Sequence, residues 1–276
     1  MKKILFPTDF SEVSKNAFIY ALRLAKSIDA EIITLHVYEI PQLNLMDVPV
    51  NLLDIYEVTE LSHFENYKQH IPLLRTIAEQ HKLEHIQIKN VLVDGDLIAN
   101  ILKITKDENI DYVVMGTKGA TSLASTFLGS VTTRIMSETE AVVLAVPEQC
   151  EYKPIKKILF TTQFKPDEIV ILRKTIQLAE IFNSHIDCLY VKSTESKVNK
   201  EVIEEWKSAF ITNAITFHVI EDNDVEGVIL NFIETNNINL LTMHIRHRSF
   251  FENLFHISLS KKLAFHISIP ILTIHN

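Results

Sequence analysis

Short apolar runs alternate with amphipathic segments in the first half of the chain. Residues 3–6 and 31–37 are compact apolar runs of strand length. Between them, Val13 and Ala17 begin a set of apolar positions that recur at helical spacing, and Ser11 precedes the set where a helix cap is expected. A strand, a helix and a second strand within so short a stretch predict a βαβ unit with parallel strands.

The same alternation continues through the rest of the first half. Further strands are expected at residues 86–93, 112–115 and 141–146, and further helices at 97–106 and 130–138. Residues 41–49 predict a loop, and residues 51–80 predict a helix that is interrupted near Pro72, because proline removes a backbone donor and crowds the preceding turn. Ligands of open parallel α/β sheets bind beyond the carboxyl ends of strands, where the strand order reverses.

The second half of the chain repeats the first. Residues 156–164 repeat residues 2–10 at an offset of 154, and from Asp96 onward the two copies match at an offset of 128. The first copy therefore contains 26 extra residues between Val37 and Asp96. They form either a helix with a longer connection or a lid or partner surface, since long insertions are often functional but need not be.

The repeat predicts two tandem α/β domains, each with a five-stranded parallel sheet flanked by helices. The first domain is expected at residues 1–147 and the second at residues 155–276, with residues 148–154 as the linker. Strands of the second copy are expected near Ile158, Ile186, Phe217, Leu240 and Ile271.

The loop after the fourth predicted strand is unusually rich in glycine. The chain has five glycines, and three of them are Gly116, Gly119 and Gly129. Glycine loops between a strand and a helix present free N–H groups and the positive end of a helix dipole, which together suit a phosphate. The known phosphate loops do not match, because Lys118 precedes Gly119 instead of following a glycine at the helix start, and Gly-x-Gly-x-x-Gly is absent.

Two residues separate Gly116 from Gly119, and nine residues separate Gly119 from Gly129, which Ser130 follows. This spacing resembles the nucleotide-binding loop of the universal stress protein family. The opening Ile-Leu-Phe-Pro-Thr-Asp-Phe-Ser and the closing Ala-Val-Val-Leu-Ala-Val-Pro of the first copy resemble that family too. The resemblance implies a Rossmann-like domain that binds ATP without catalysis in a stress response, and it leaves a role for Mg²⁺ open. By matching position it implies a site made of Pro7, Thr8, Asp9, Val37, Met115 and Gly116 around the adenosine, and of Gly119, Gly129, Ser130, Val131 and Thr132 around the phosphates.

Several of these residues also have a structural interpretation. Asp9 can cap the helix that follows it, and Ser11 is expected to cap rather than to bind. Lys118 can reach a terminal phosphate or remain solvated, and Thr132 can be ordinary helix surface.

The second copy departs from the glycine pattern. His244, His247 and Ile257 stand where the first copy has its three glycines, Gln163 replaces Asp9, and Ser258 alone is retained. An isoleucine side chain would block amides that must close on an anion, so we predict no nucleotide there. The second copy is expected to be structural or regulatory and to pair with the first within the chain, and homodimerisation is left open.

The histidines of the second copy raise the question of a metal site. The candidates are His244, His247, His256 and His266. Because no cysteine and no second spaced pair completes a closed site, we expect polar loop histidines and no metal. Arg246 and Arg248 offer an alternative role in binding an anion or a partner's carboxylate.

Composition and charge narrow the function classes. The net charge is −8, and residues 1–150 carry 13 basic against 20 acidic side chains. An acidic chain without a basic stripe argues against nucleic acid as a partner. No apolar run approaches the length of a membrane span. With two cysteines and no disulfide framework, a reducing cytoplasm is expected.

Three functional hypotheses remain. The first is a non-catalytic ATP-binding stress module, and the second is an adenylate-transferring or ATP-hydrolysing enzyme. We find no paired general base and nucleophile near the loop, which argues against the enzyme. The third is a nucleotide-free scaffold assembled through the apolar strands at residues 141–146 and 269–274. Exposed apolar edges of such strands need to pair with another strand or to be covered by a partner.

Overall fold

The structure is a computed structural model that describes residues 1–39, 52–117, 129–194, 198–210, 214–244 and 267–275. The first half contains β1 (Lys2–Pro7), α1 (Glu12–Ile28), β2 (Ala30–Tyr38), α2 (Leu52–Gln80), β3 (Ile88–Asp94), α3 (Leu97–Asp107), β4 (Tyr112–Gly116), α4 (Ser130–Glu138) and β5 (Val142–Val146). The second half contains β6 (Lys157–Thr161), α5 (Glu168–Phe182), β7 (His185–Lys192), α6 (Lys200–Ala209), β8 (Ile215–Glu221), α7 (Val225–Thr235), β9 (Leu240–His244) and β10 (Ile271–Ile274).

The strands form one ten-stranded sheet in the order β3-β2-β1-β4-β5-β10-β9-β6-β7-β8. Each half contributes five parallel strands, and the two halves have the same internal order. The predicted α/β fold class is therefore confirmed. The difference from the prediction is that the two parallel sheets are continuous, because β5 and β10 pair antiparallel.

The antiparallel pair of β5 and β10 covers the two apolar strand edges that were expected to need a partner. Leu144 lies opposite Leu272, and Ala145 lies opposite Ile271. All four side chains are buried. Pairing satisfies the backbone groups that an edge strand exposes, so each half covers the last strand of the other.

Contacts outside the sheet also join the halves. The amide of Asn16 donates to the carbonyl of Cys150 at 2.7 Å, and the hydroxyl of Tyr20 lies 3.1 Å from the Cys150 Sγ. Burial raises the pKa of both Tyr20 and Cys150, which keeps this pair neutral. On the opposite face, His275 Nε2 donates to the carbonyl of Met136 in α4 at 2.6 Å. The expected linker is thus packed against α1.

Apolar layers lie on both faces of the sheet. One layer packs α1, α2, α5 and α6 against the sheet, and the other packs α3, α4 and α7. The helix starts follow the sequence pattern, since Asp96 and Asp224 occupy matching positions in the two copies. Asp96 accepts from Ala99 N at 2.7 Å, and Asp224 accepts from Gly227 N at 2.9 Å. These carboxylates cap α3 and α7.

The predicted interruption of the inserted helix is wrong. The helix α2 runs from Leu52 to Gln80 with Pro72 inside it. Buried side chains hold the helix on both sides of the proline, with Tyr67 before it and Leu74 and Ala78 after it. Packing of this kind outweighs the hydrogen bond that proline cannot make. The loop expected at residues 41–49 lies outside the described residues.

No helix within the described ranges combines the length and the apolar composition that crossing a bilayer requires. Cys150 and Cys188 are both free and buried.

Candidate functional site

The candidate site lies at the reversal of strand order in the first half. β1 and β4 are neighbours, and the chain leaves β1 towards β2 but leaves β4 towards β5. The loops after Pro7 and after Gly116 therefore diverge and leave a crevice beyond the two strand ends. Lys118 and Gly119 lie outside the described residues.

The start of α4 forms one wall of the crevice. Gly129 is the N-cap residue, with φ −65° and ψ 154°, and its N–H donates to the carbonyl of Thr117 at 2.6 Å. No side chain among the described residues caps this helix. Ser130 is exposed and Val131 is half-buried. The amides of the first turn therefore lie at the positive end of the helix dipole without a side-chain acceptor.

The conformation of Gly129 does not itself require glycine. Its φ and ψ lie in the extended region that any residue adopts. What glycine supplies here is the absence of a side chain beside the helix amides, which allows an anion to come close. Close approach of a ligand, and not a positive φ, is therefore the property that favours glycine at this position.

Thr132 connects the helix start to the strand end. Its side chain is buried, and its hydroxyl donates to the carbonyl of Gly116 at 3.1 Å. The hydroxyl thus stabilises the loop, and the main-chain N–H is the other donor of Thr132. Met115 is also buried and packs in the core beneath the crevice, and its backbone pairs with β5.

The loop after β1 forms the opposite wall, and Thr8 holds it in place. Thr8 N donates to the carbonyl of Leu35 at 2.9 Å, and the Thr8 hydroxyl exchanges a hydrogen bond with the Ser14 hydroxyl at 2.7 Å. The same hydroxyl accepts from Phe10 N at 3.0 Å. Thr8 and Pro7 are both buried, so their role in the site is to shape this loop.

Asp9 is the exposed residue of that loop. Its Oδ1 accepts from the N–H and from the hydroxyl of Ser11, at 3.0 and 2.6 Å. Ser11 in turn caps α1 by accepting from Ser14 N at 3.3 Å. The prediction that Ser11 is the cap is confirmed. Asp9 orients Ser11 and lies on the crevice side of β1 as an exposed residue of the loop.

Val37 presents main-chain groups to the same crevice. Leu35 accepts from Thr8 on the β1 side of β2, whereas Tyr38 accepts from Gly95 on the β3 side. Because backbone groups alternate between the two neighbours along a strand, the N–H and C=O of Val37 point to the β1 side. The ladder with β1 ends at the pair of Pro7 and Leu35. Val37 therefore lies beyond the last residue pair of β1 and β2, and its N–H donor and C=O acceptor lie side by side.

The equivalent loop of the second copy is filled by a carboxylate of the chain itself. Glu168 Oε2 accepts from the Thr162 hydroxyl at 2.6 Å, from Gln163 N at 2.9 Å and from Lys165 N at 3.2 Å. Glu168 is buried and occupies the position of Ser14 in the repeat. Sequence reasoning missed this residue, and the signal was the glutamate aligned with a serine inside an apolar helix face.

His244 fills the position of Gly116 in the second copy. Its side chain is 6% exposed, and its Nδ1 lies 3.8 Å from Asp167 Oδ2. Burial lowers the pKa of His244, so the ring is neutral near pH 7. Within the described ranges no group of three or more potential metal ligands occurs. The other candidates lie outside those ranges, namely His247, His256, His266, Arg246, Arg248, Ile257 and Ser258.

Comparison with known proteins gives consistent matches. The model of the universal stress protein family matches residues 1–147. The chain is 31% identical over 155 residues to the universal stress protein MJ0577 of Methanocaldococcus jannaschii, covering 52% of this chain and 94% of that protein. It is 27% identical over 150 residues to the universal stress protein YxiE of Bacillus subtilis, covering 52% of this chain and 97% of that protein.

A solved structure matches almost the whole chain. The crystal structure of a universal stress protein from Archaeoglobus fulgidus superposes with a TM-score of 0.71, covering 99% of this chain and 96% of that one. The sequence identity is 18%, so this match shows a common fold that extends through both halves.

Proposed function

The chain belongs to the universal stress protein family, and we propose that its first half binds one adenine nucleotide, ATP, without catalysing a reaction. The observation that carries the proposal is the pairing of two groups across one crevice. The uncapped first turn of α4 forms one wall, and the loop that carries the exposed Asp9 forms the other.

These groups suit the parts of a nucleotide. Helix amides of Ser130 and Val131 would bind phosphate oxygens, with no side chain at Gly129 to exclude them. The Asp9 carboxylate would accept hydrogen bonds from the ribose hydroxyls, as an ionised acceptor does strongly. The N–H and C=O of Val37 would bind a base edge that offers one acceptor and one donor, as adenine does. Mg²⁺, when present, would bind mainly to the phosphates.

We propose that the second copy binds no nucleotide. Its loop donors already bind the Glu168 carboxylate, and the His244 side chain occupies the position of Gly116. An incoming ribose or phosphate would have to displace both. The second copy would then serve to complete the sheet through β10 and to hold the first copy in place.

The scaffold alternative loses its proposed surface. The apolar strands that were expected to recruit a partner, β5 and β10, pair with each other inside the chain. Their backbone groups and side chains are therefore not available for assembly with another protein.

Isothermal titration calorimetry with ATP and Mg²⁺ tests the proposal. We expect one nucleotide per chain, and we expect the complex to turn over ATP slowly or not at all. Two equivalents, or none at saturating ATP, would contradict the proposal. Turnover that disappears in Asp9→Asn would support the enzyme hypothesis instead.

Mass spectrometry of small molecules released from the purified protein gives an independent test. We expect an adenine nucleotide from the wild type and none from Gly119→Val, in which a side chain is added to the glycine loop. An equal yield from both proteins would mean that the nucleotide is bound elsewhere.

A further inference from the structure

The inserted helix α2 contacts the loop that carries Asp9. Three of its residues, His63, Tyr67 and His70, are spaced by four and three positions and so lie on one helix face. His63 stacks on Tyr38 at the end of β2, with ring centroids 4.7 Å apart and an interplanar angle of 23°. The other two approach Phe10, directly after Asp9.

Four aromatic rings enclose this position, and we name the group formed by Phe10, His36, Tyr67 and His70 the histidine clasp. The Phe10 ring stacks on His70 at 4.9 Å and tilts against His36 at 5.1 Å. His36 stacks on Tyr67 at 5.8 Å with an interplanar angle of 11°. Ring pairs in stacked and tilted arrangements stabilise a structure beyond simple burial.

The clasp also has a polar connection to the loop. His36 Nδ1 lies 2.8 Å from the carbonyl oxygen of Thr8. Because a carbonyl oxygen only accepts, Nδ1 carries the hydrogen and donates it. The histidine clasp therefore holds Thr8, before Asp9, through a hydrogen bond, and Phe10, after Asp9, through ring contacts.

Phe10 needs this support because its backbone is strained. Its φ is 59°, in the left-handed region that bulky residues rarely adopt. Such a conformation is unfavourable and persists only when its surroundings hold it. Loss of the clasp would let the loop relax and carry the Asp9 carboxylate away from the crevice.

Comparison with the second copy shows which features of the histidine clasp occur in the first copy alone among the described residues. Phe164, the equivalent of Phe10, has a φ of 54° and packs on Tyr190 and Trp206. Tyr190 stands where the first copy has His36, and its hydroxyl has no hydrogen-bond partner among the described residues. The strained phenylalanine is thus common to both copies, whereas the histidine bond to the loop carbonyl and the long helix α2 occur beside Asp9.

We propose that α2 is part of the nucleotide site, with His36 and His70 acting as positioning residues for Asp9. This inference rests on the proposed nucleotide binding by the first copy. If the clasp favours the binding conformation of the loop, nucleotide must in turn stabilise the docking of α2, because coupling between two binding events is reciprocal. The insertion would then report whether nucleotide is bound.

Three variants test the proposal by calorimetry with ATP and Mg²⁺. His36→Phe keeps the ring but removes the donor to Thr8, and we expect roughly fivefold to tenfold weaker binding. His70→Ala removes one stack, and we expect about twofold to tenfold weaker binding. His70→Phe keeps that stack and should restore the affinity. Leu73→Ala is the control, because Leu73 lies on the same helix and is 41% exposed.

Hydrogen exchange supplies a readout that a purely structural role would not change. In the wild type, ATP should slow amide exchange across residues 63–70 of α2. In His36→Phe, at the same protein concentration and with saturating ATP, the exchange of these amides should be slowed less than in the wild type. Circular dichroism confirms that each variant is folded, and His70→Phe keeps the test valid if the alanine variant is unstable.

The outcomes separate this inference from the one on which it rests. A wild type that binds no nucleotide would overturn the proposed function and this inference together. A wild type that binds ATP while His36→Phe and His70→Ala bind as tightly as Leu73→Ala would overturn the role of the clasp alone. Unchanged exchange of α2 in saturating ATP would do the same.

Discussion

The two halves of the chain have the same strand order, the same left-handed phenylalanine after the first strand and the same aspartate caps on matching helices. They differ in the side chain that forms hydrogen bonds with the loop after the first strand of each half. In the first half the residue aligned with Glu168 is Ser14, which exchanges a neutral hydrogen bond with Thr8. In the second half the Glu168 carboxylate accepts three hydrogen bonds.

The comparison shows that the fold and the site depend on different residues. The buried strands and helix faces are apolar in both copies, and they suffice to build each half of the sheet. The copies differ at a few positions around the strand ends, where Ser14 meets the loop with a hydroxyl in the first copy and Glu168 with a carboxylate in the second. Substitutions that exchange residues between the copies at these positions test that difference.

The largest effect is expected from Gly129→Ile, which gives the first copy the residue of position 257. Isoleucine adopts the backbone angles of Gly129 readily, so the protein should fold. Its side chain would occupy the space before the α4 amides, and we expect ATP affinity to fall about 100-fold or more. Calorimetry measures the change, with Ser137→Ile in the last turn of α4 as control. A folded variant with wild-type affinity would contradict the proposed phosphate site.

The next effect is expected from Glu168→Ser, which gives the second copy the residue of position 14. The Thr162 hydroxyl and the Gln163 N–H would lose a buried acceptor, and the free energy of unfolding should fall by about 2–3 kcal/mol. Urea unfolding measures it. Ser14→Ala is the matched control and should cost about 1 kcal/mol, because it removes a neutral hydrogen bond.

The same variant also tests the separation of the two copies. ATP affinity of Glu168→Ser should equal that of the wild type, since the first copy keeps all its proposed contacts. A second equivalent of ATP bound by this variant would show that Glu168 alone closes the second crevice, and a loss of the first would show that the sites are not independent.

A smaller effect is expected from Asp9→Gln, which gives the first copy the residue of position 163. The amide accepts hydrogen bonds less strongly than a carboxylate, and we expect ATP affinity to fall roughly tenfold to thirtyfold. Binding of ATP and of inorganic triphosphate should be compared, because only the nucleotide has a ribose. Equal losses for the two ligands would place Asp9 at the phosphates, and Asp107→Asn on α3 is the control.

The smallest effect concerns acid stability and His244. Burial lowers the pKa of His244 below the value of about 6.5 that a solvated histidine has. Below that value the unfolded chain binds a proton that the folded chain excludes, so the stability falls as the pH falls towards the folded pKa. His244→Gln should reduce the difference between urea midpoints at about pH 7.5 and about pH 5.5. His85→Gln, with an exposed side chain, is the control, and an unchanged difference in His244→Gln would contradict the prediction.

Several parts of the fold were predictable because they depend on neighbours in the chain. The alternation of apolar runs and helical periodicity predicted the strands and helices of both halves, and Ser11 was recognised as a cap. The helix through Pro72 was not predicted, because a proline disfavours a helix locally. Burial of Tyr67 and Leu74 on either side of it decided otherwise.

The position of the site stays a prediction from the sequence, whereas the contacts of several of its residues were not predictable. Repeat and glycine spacing predict a site at the ends of β1 and β4, and in the structure the hydroxyl of Thr132 binds the carbonyl of Gly116. Glu168 and His36 were missed. Each acts through one hydrogen bond or more to a loop whose shape no residue spacing reveals.

By itself the sequence determined the parallel α/β architecture, the order of its elements and the copy that retains the glycine loop, because these follow from local periodicity and from the alignment of the repeat. Only the tertiary structure decided that β5 pairs with β10, that a carboxylate fills the second crevice and that α2 grips the Asp9 loop. Those contacts join side chains and strand edges whose partners are selected by three-dimensional packing, and packing leaves no periodic trace in the chain.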